Sequence, residues 1–463
     1  MDAEEQARHV PAESAATVAA AAVAPPGTDL RRFYAFQVIN DFSFTAGIWI
    51  IFLQSRGFSL AEIGLAESAF HLAPITLELP SGSFADALGR KWSLTTGALL
   101  MAGSTALMFV ADSLWLLLPA LYLNGAAYAF RSGSYQAFLF DSLGDERGGA
   151  RFTSILGKLN SMSYIAIAAT TAIGASFAER NYALPFGLAA GAGLAAAFLA
   201  TGLKEPQRPV EARGMGGTIA EALRIIRGNR QLLALVFFSA TLWTVSALVH
   251  LYGQAVLAER GLEPSQIGFV LGAILFTTAV GAWLSGRLVS LRPFRFWIVA
   301  ATGAIAGSGL LMGGAPIPVA ILGLIVAELF AGAFEPMTAQ RVNAAITSAQ
   351  RATVLSVEGF LYSVTMIWAF PLFGWTAERY GWLPAYGIAG GVGGAAARRV
   401  SGPWRRSADG TKARVSPCKV NRLCPRLVAS AQRNRRSPKG EGNASRRVAL
   451  PGRRRPRCRS ACR

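Results

Sequence analysis

Twelve long apolar segments, separated by short polar connections, constrain the fold of this chain more than any other feature. Each segment approaches the length of about 20 residues that an α-helix needs to cross the hydrocarbon core of a bilayer. Only 15% of the residues are charged, and the mean hydropathy is +0.37. This composition is typical of a membrane protein with many spans rather than of a soluble domain. We therefore expect an all-α integral membrane protein with twelve transmembrane helices.

The predicted spans form two sets of six. In the first half they cover residues 33–54, 62–80, 93–111, 114–138, 153–177 and 184–203. In the second half they cover residues 232–254, 266–286, 296–313, 317–337, 353–375 and 382–397. Residues 1–30 are rich in Ala, Pro and acidic residues and lack a basic segment before an apolar core. We expect them to form a disordered tail rather than a signal peptide.

The distribution of Lys and Arg predicts the orientation of the spans. Up to residue 397 there are 24 basic residues, of which Arg131 and Lys158 fall within spans. If the N-terminus is cytoplasmic, 18 of the others lie on the cytoplasmic side and four on the outer side. Because basic residues are enriched in cytoplasmic loops, both termini are predicted to be cytoplasmic. We expect a multi-pass protein of the bacterial cytoplasmic membrane.

The two halves of the sequence resemble each other at an offset of about 200 residues. The segment from Arg56 to Gly64 matches the segment from Arg260 to Gly268, before the second and eighth spans. Further matches in other spans keep the same offset. A six-span unit repeated in parallel is typical of transporters that rock two bundles around a central site. The predicted parts are an N-terminal tail (1–30), a first bundle (31–203), a cytoplasmic linker (204–231), a second bundle (232–397) and a basic tail (398–463).

A polar motif follows the second predicted span, in the connection to the third. It has the pattern G-x-x-x-D-x-x-G-R-K and consists of Gly82, Asp86, Gly89, Arg90 and Lys91. This connection resembles the signature loop of the major facilitator superfamily of transporters. Together with the repeat and the twelve spans, the resemblance extends over residues 31–397. It implies two six-helix bundles related by a pseudo-two-fold axis.

The resemblance also implies a role for the loop. In the family, the loop Asp meets the start of the eleventh span in the outward-open state, and the loop Arg pairs with an acid at the end of the fourth span. Here the first partner would be the backbone of residues 352–355 and the second would be Asp141. An Asp at a helix end interacts favourably with the positive end of another helix. We therefore predict that Asp86 and the Arg90–Asp141 pair form a conformational latch.

Charged residues within the spans are candidates for function, because each costs about 2.5–3.5 kcal/mol on insertion scales. Asp41 lies near mid-membrane in an aromatic-rich first span, beside Asn40. The resemblance implies that the first, fourth, seventh and tenth spans line the central cavity. A carboxylate desolvated there can exchange protons near neutral pH, so Asp41 is the leading candidate for a proton or cation site. The alternative is a local structural hydrogen bond.

The internal repeat also relates charged residues of the first-half spans to charged residues of the second-half spans. Arg131 corresponds to Glu335, and Lys158 corresponds to Glu358, so symmetry-related positions carry opposite charges. This arrangement suggests charge pairs across the bundle interface that form in one conformation and break in another. For Glu78, Lys158 and Glu358, the alternatives are structural ion pairs or side chains that extend to the cytoplasmic surface.

The sequence predicts a transporter rather than an enzyme. It contains no recognisable catalytic triad, zinc site or nucleotide-binding loop, so we expect an ion gradient as the energy source and no cofactor. The leading hypothesis is a monomeric antiporter that exports amphipathic small molecules in exchange for protons. A second hypothesis is uptake of a nutrient such as a sugar or organic acid, with Arg131 binding an anionic group. In both cases the partners are the lipid bilayer and a small molecule, with no nucleic acid.

The basic tail supports a hypothesis of a different class. Residues 398–463 contain 21 Lys and Arg residues against Asp409 and Glu441, and they hold all four cysteines. Such an arm would suit a non-transporting membrane protein that binds anionic lipid or nucleic acid. The twelfth apolar segment, however, breaks off where the repeat would continue. We therefore favour a frameshift near residues 394–398, which resequencing of the locus tests.

Removal of residues 398–463 distinguishes the two classes of function. If the chain is a transporter whose tail is a frameshift product, transport is expected to survive the deletion. If the tail is the functional part, binding to anionic lipid or nucleic acid should disappear with it. Transport assays and vesicle or nucleic-acid binding assays on the full and shortened chains make the comparison.

Overall fold

A computed structural model describes residues 27–143, 148–206, 230–344 and 348–408. All regular secondary structure in these residues is α-helical. The first half contains α1 (Gly27–Asn40), α2 (Trp49–Ser55), α3 (Leu60–Leu88), α4 (Arg90–Val110), α5 (Leu114–Leu143), α6 (Gly148–Ala178) and α7 (Ala183–Thr201). The second half contains α8 (Arg230–Glu259), α9 (Pro264–Leu288), α10 (Phe294–Gly314), α11 (Ile317–Ala344), α12 (Ser348–Tyr380) and α13 (Trp382–Ala408).

The helices match the twelve predicted spans with one exception. Helices α3 to α13 each correspond to one span, with ends that differ by a few residues or more, whereas α1 and α2 share the first. Within the described residues, eight helices are long and apolar enough to cross a membrane by length and composition. They are α4, α6, α7, α8, α9, α10, α11 and α12. The all-helical membrane fold is therefore confirmed, while α1, α2, α3, α5 and α13 do not meet this criterion.

The first predicted span is not a continuous helix. Helix α1 ends at Asn40, and the chain follows irregular turns before α2 begins at Trp49. Neighbouring helices satisfy part of the released backbone: the Ser43 amide donates to Thr170 Oγ1 (2.9 Å), and Gln254 Nε2 donates to the Ala46 carbonyl (2.9 Å). Irregular backbone at membrane depth is stable only where protein or a cavity covers it. The prediction of one helix over 33–54 was wrong because these partners are distant in sequence.

The signature motif is mostly helical rather than a loop. Helix α3 continues to Leu88 and α4 begins at Arg90, so Gly89 alone joins them. Its φ of +109° suits glycine, because other residues rarely adopt this region. The carboxylate of Glu205 accepts hydrogen bonds from the Arg90 and Lys91 amides (2.7 and 2.9 Å) and so caps α4. We call the end of the molecule that contains Gly89 the near end, and the opposite end the far end.

The internal repeat is visible in three dimensions. Gly57 and Gly261 both have a φ of +89° at the turn before α3 and α9. The arginine that precedes each glycine contacts an equivalent carbonyl: Arg56 Nη2 lies 3.4 Å from the Ala111 oxygen, and Arg260 Nη1 lies 2.7 Å from the Ala315 oxygen. Both pairs of residues are related by an offset of 204. The similarity of the two sequences therefore reflects the same local geometry in each half.

Two carboxylates join the bundles reciprocally at the far end. Glu179, just after α6, accepts a hydrogen bond from the Ser265 amide in the first turn of α9 (3.1 Å). Glu378, near the end of α12, accepts from the Leu60 amide in the first turn of α3 (2.5 Å). Each carboxylate thus meets unpaired amides and the positive dipole end of a helix in the other bundle. We call these two contacts the far-end caps.

Close packing seals the far end around the caps. Tyr252 of α8 donates from its hydroxyl to the Leu60 carbonyl of α3 (3.1 Å). A Cβ on Gly268 would lie 2.2 Å from the Cβ of Ala175, and one on Gly64 would lie 2.7 Å from the Phe370 oxygen. Five hydrogen bonds between described residues join the two bundles in the far half. The bundles are therefore closed against each other at the far end.

The buried apolar side chains follow the same division. One large cluster extends across both bundles at the far end and through the second bundle. A smaller cluster occupies the near end of the first bundle, and it includes Phe33, Phe36, Leu94 and Phe138. Because the near-end cluster contains residues of the first bundle only, it does not join the bundles.

The last helix is longer than the sequence predicted. Helix α13 continues to Ala408, past the expected boundary at residue 397. The remainder of the predicted tail lies outside the described residues. A deletion that removes the tail without shortening a helix therefore begins at residue 409.

The substitution Gly268→Ala is expected to open the far end. The added methyl would overlap Ala175 of the other bundle, and overpacking of this kind costs about 1–3 kcal/mol, a shift of about fivefold or more in the conformational equilibrium. Gly286→Ala in the same helix is the matched control, because a Cβ there meets nothing within 4 Å. Spin-label distances across the far end measure the shift. Equal distances in both variants would contradict the tight contact.

Candidate functional site

A polar cavity of about 400 Å³ lies in the first bundle, beside the break between α1 and α2. Helices α1, α5 and α6 supply its walls. The lining residues are Gln37, Asp41, Tyr128, Arg131, Ser132, Tyr135, Gln136, Asn160, Ser163, Tyr164 and Ile167. Tyr128 and Tyr164 are about half exposed, at 50% and 52%, although they lie within long apolar helices. All the lining residues belong to the first bundle, in its middle and near half.

Asp41 is the buried charge of this cavity. It directly follows α1 and is 8% exposed. Its carboxylate forms an ion pair with Arg131 of α5 and also accepts a hydrogen bond from Gln37 Nε2 (2.8 Å). A buried charge is tolerated when it is paired and hydrogen-bonded, and both conditions hold here. The break in α1 therefore places Asp41 where Arg131 can reach it.

Two buried polar atoms of the cavity have no partner in the part of the chain that the structure describes. They are Gln37 Oε1 and Ser163 Oγ, on side chains that are 6% and 9% exposed. The carboxylate of Asp41 can only accept, so the amide nitrogen of Gln37 faces it and the oxygen is left unpaired. Unpaired buried polar atoms are costly. Both atoms are therefore available to hydrogen-bond a bound molecule.

The predicted charge pairs between the bundles are not present in this conformation of the described residues. Arg131 pairs with Asp41 inside its own bundle, because its long side chain reaches the carboxylate that follows α1. Glu335 of α11 is exposed, and Glu358 of α12 accepts a hydrogen bond from Ser239 within the second bundle. Lys158 is exposed on α6. The structure thus brings Asp41 and Arg131 together and leaves Glu335, Glu358 and Lys158 outside that pair.

The near end carries the residues of the predicted latch. Arg90 forms an ion pair with Asp141 at the end of α5, and the two side chains are 20% and 21% exposed. Asp86 is exposed in the last turn of α3, and Glu78 is exposed about two turns earlier in the same helix. The side chains at the predicted Asp86 contact, residues 352–355, lie outside the described residues. The contact between Arg90 and Asp141 is observed, and its function as a latch stays a prediction.

Several residues of the cavity were missed from the sequence. Gln37 precedes Asp41 by four residues, the spacing of neighbours on one helix face, so it could have been found. Asn160, Ser163 and Tyr164 of α6 carry no comparable signal, because they resemble other polar residues in Ala-rich spans. Asn40, which was predicted, is half-buried at the end of α1.

The family follows from a comparison of sequences. The sequence profile of the Major Facilitator Superfamily matches residues 33–317. The chain belongs to this superfamily. A relative from Bacillus subtilis (strain 168), the uncharacterized MFS-type transporter YxaM, is 24% identical over 261 residues. That alignment covers 54% of this chain and 63% of YxaM, so the match spans less than two thirds of the relative's length.

Solved structures of other superfamily-type transporters share the fold. A mutant of the nucleoside transporter NupG has a TM-score of 0.69 at 13% identity, covering 80% of this chain and 97% of its own. A peptide transporter of the POT type has a TM-score of 0.62 at 13% identity, covering 82% and 94%. A bacterial homologue of the lysosomal transporter Spinster gives 0.60 at 14% identity, covering 81% and 91%. At these identities the likeness establishes the fold alone.

The substitution Asp86→Asn is expected to favour the conformation that is open at the near end. The superfamily resemblance assigns the carboxylate a helix-capping contact in the opposite conformation, and such a contact contributes about 0.5–2 kcal/mol. Asp112→Asn, in the exposed connection before α5, is the control. Cysteine accessibility at the near end measures the population. Unchanged accessibility and unchanged transport in Asp86→Asn would rule out the latch.

Proposed function

We propose that the protein is a secondary active transporter that works by alternating access around the cavity at Asp41. The observation that carries this proposal is the asymmetry of the bundle contacts. The bundles are joined by hydrogen bonds at the far end, and the polar cavity is lined by residues in the middle and near half of the first bundle, so it would be reached from the near end. A site that faces one side at a time is what transport against a gradient requires.

Proton coupling is proposed at the Asp41–Arg131 pair. A proton on Asp41 removes its negative charge and weakens the ion pair, which releases the Arg131 guanidinium into the cavity. Loss of the proton restores the pair and withdraws the guanidinium. The energy source would then be a proton gradient, with no cofactor.

Export of amphipathic small molecules is the first candidate for direction and cargo. Three tyrosines line the cavity, and each combines an apolar ring with a polar hydroxyl. The cavity is reached from the end that carries most of the Lys and Arg residues, which the positive-inside rule assigns to the cytoplasm. A cytoplasmic compound can enter from that side. We propose a monomer in the cytoplasmic membrane with both termini inside.

Uptake of a polar nutrient is the second candidate, and a specific observation favours it. Arg131 already neutralises Asp41, so the cavity does not offer a free negative charge to a cationic cargo. A guanidinium released by protonation would instead bind an anionic group bidentately. Proton and anion would then travel together. NupG and the POT protein are, by their names, nucleoside and peptide transporters, and a polar cargo of that size fits this candidate.

The substitution Asp41→Asn is expected to reduce transport driven by a pH gradient by about tenfold or more, since a charged hydrogen-bonded pair contributes about 1.5–3 kcal/mol. Exchange of labelled for unlabelled cargo at equal pH is expected to continue, because it needs no net proton movement. A cargo panel in proteoliposomes with an imposed gradient of either direction makes the measurement. It also separates export from uptake.

Asp112→Asn is the matched control, since it removes a carboxylate of the same type from an exposed connection. Gradient-driven transport that is equal in the two variants would exclude Asp41 as the coupling site. Absence of transport for every cargo, in the wild type as well, would contradict the transporter proposal itself.

A further inference from the structure

A second pair of titratable side chains lies outside the cavity. Glu67 and His71 are one turn apart on α3, with 3.7 Å between Glu67 Oε1 and His71 Nε2. The two residues are 8% and 5% exposed. Neither lines the cavity, and neither forms an ion pair with another described residue. Glu67 and His71 are therefore buried for a reason other than a contact with the Asp41–Arg131 pair.

The pair lies on the face of α3 that packs against α12 of the other bundle. Ser68 Oγ donates to the Ile367 carbonyl (2.8 Å), and the His71 ring meets the Tyr362 ring edge-on with centroids 5.4 Å apart. Residues three and four apart share a helix face, so Glu67 lies on the same face as His71 and as Gly64, whose added Cβ would lie 2.7 Å from the Phe370 oxygen. The contact that closes the far end thus also covers this pair.

The titratable groups around the pair are hydroxyls rather than strong charges. Tyr362 of α12 meets the His71 ring edge-on, and Tyr252 of α8 donates to the Leu60 carbonyl, about two turns before Glu67 on α3. Tyr128 of α5 packs against Phe70, and Glu378 of α12 accepts from the Leu60 amide. Among the described residues, no Lys or Arg pairs with Glu67. The protons on Glu67 and His71 themselves therefore decide the net charge of the pair.

Only one protonation state of the pair suits the closed interface. Without a proton the pair carries a charge of −1, with one proton it is neutral, and with two it carries +1. Burial of an uncompensated charge is strongly unfavourable, whereas a neutral pair is tolerated. This holds whether the proton resides on the imidazole or on the carboxyl group.

We propose that Glu67 and His71 form a proton-binding site that takes up one proton as the far ends of the bundles close and releases it to the far-side solvent as they separate. This inference rests on the alternating access proposed above but requires no knowledge of the cargo. It adds a proton site at the contact that closes the far end, separate from the site in the cavity.

The sign of the pH dependence follows from the charges. A histidine in water has a pKa of about 6.5, so above about pH 7 the separated pair mostly lacks its proton. Over the pH range in which the closed pair still holds its proton and the separated pair does not, closure takes up a proton, and lower pH favours the closed far end by up to about tenfold per pH unit. Below about pH 6 the separated pair already holds the proton, and the dependence levels off.

Distances across the far end test the proposal in the full chain. Spin labels on Asp112→Cys and Pro316→Cys report on the connections before α5 and α11, and both positions are exposed. The four native cysteines (Cys418, Cys424, Cys458 and Cys462) are replaced by serine. Distance distributions are recorded in lipid nanodiscs between about pH 5.5 and 8, a range that brackets an ordinary histidine.

Single substitutions are expected to change the pH dependence in opposite ways. In Glu67→Gln the unprotonated pair is neutral, so closure releases a proton and rising pH should favour the closed state, which reverses the wild-type sign. In His71→Gln only the carboxyl group can hold the proton, so the wild-type sign should persist below pH 6 without levelling off. The double variant retains Asp41 and both far-end caps, so it measures their contribution to the pH dependence. The dependence due to the Glu67–His71 pair is the difference between each of the other chains and the double variant.

The outcomes separate this inference from the proposed function. A reversed sign in Glu67→Gln supports the proton site. A wild-type closed fraction that does not change with pH, or an unchanged sign in Glu67→Gln, overturns it. If Glu67→Gln does not fold, levelling off of His71→Gln at the same pH as wild type overturns it instead. A far end that never opens under any condition contradicts alternating access, which is the failure of the proposed function.

Discussion

The far-end caps are the interaction on which the rest of the architecture depends. Glu179 and Glu378 each accept a hydrogen bond from an amide at the start of a helix in the other bundle. Each bundle thus provides the acceptor for an unpaired amide of the other. Helix ends carry unpaired amides that need a partner when they are buried. Because the two contacts are related by the internal repeat, they hold the bundles symmetrically. Glycine packing at Gly64 and Gly268 lets the helices approach closely enough for the caps to form.

The closed far end sets the proposed access to the cavity in the first bundle. With the far end closed, a molecule would reach the cavity beside the α1–α2 break from the near end. The break also makes the two halves unequal, because α8 continues as one helix where the first half is interrupted. Asp41 and the unpaired Gln37 oxygen lie at this interruption. The repeated helices thus form the two bundles, and the positions at which the two halves differ carry the residues of the candidate site.

Much of the fold could be predicted, because it depends on periodic and compositional features. The length of the apolar segments gave eleven of the twelve spans as single helices, and the offset of the halves anticipated the equal geometry at Gly57 and Gly261. The Arg90–Asp141 contact was expected from the family resemblance. The break after Asn40, the Glu205 cap and the Asp41–Arg131 pair depend on residues far apart in sequence. No pattern within a single span encodes such contacts.

Alternating access requires that the two ends of the molecule open in turn. One pair of spin labels across the near end and another across the far end allow both distances to be recorded under the same conditions. One distance should increase whenever the other decreases, and one of the states should have the closed far end of this structure. Distances that change together, or a far end that stays closed while cargo crosses the membrane, would contradict alternating access.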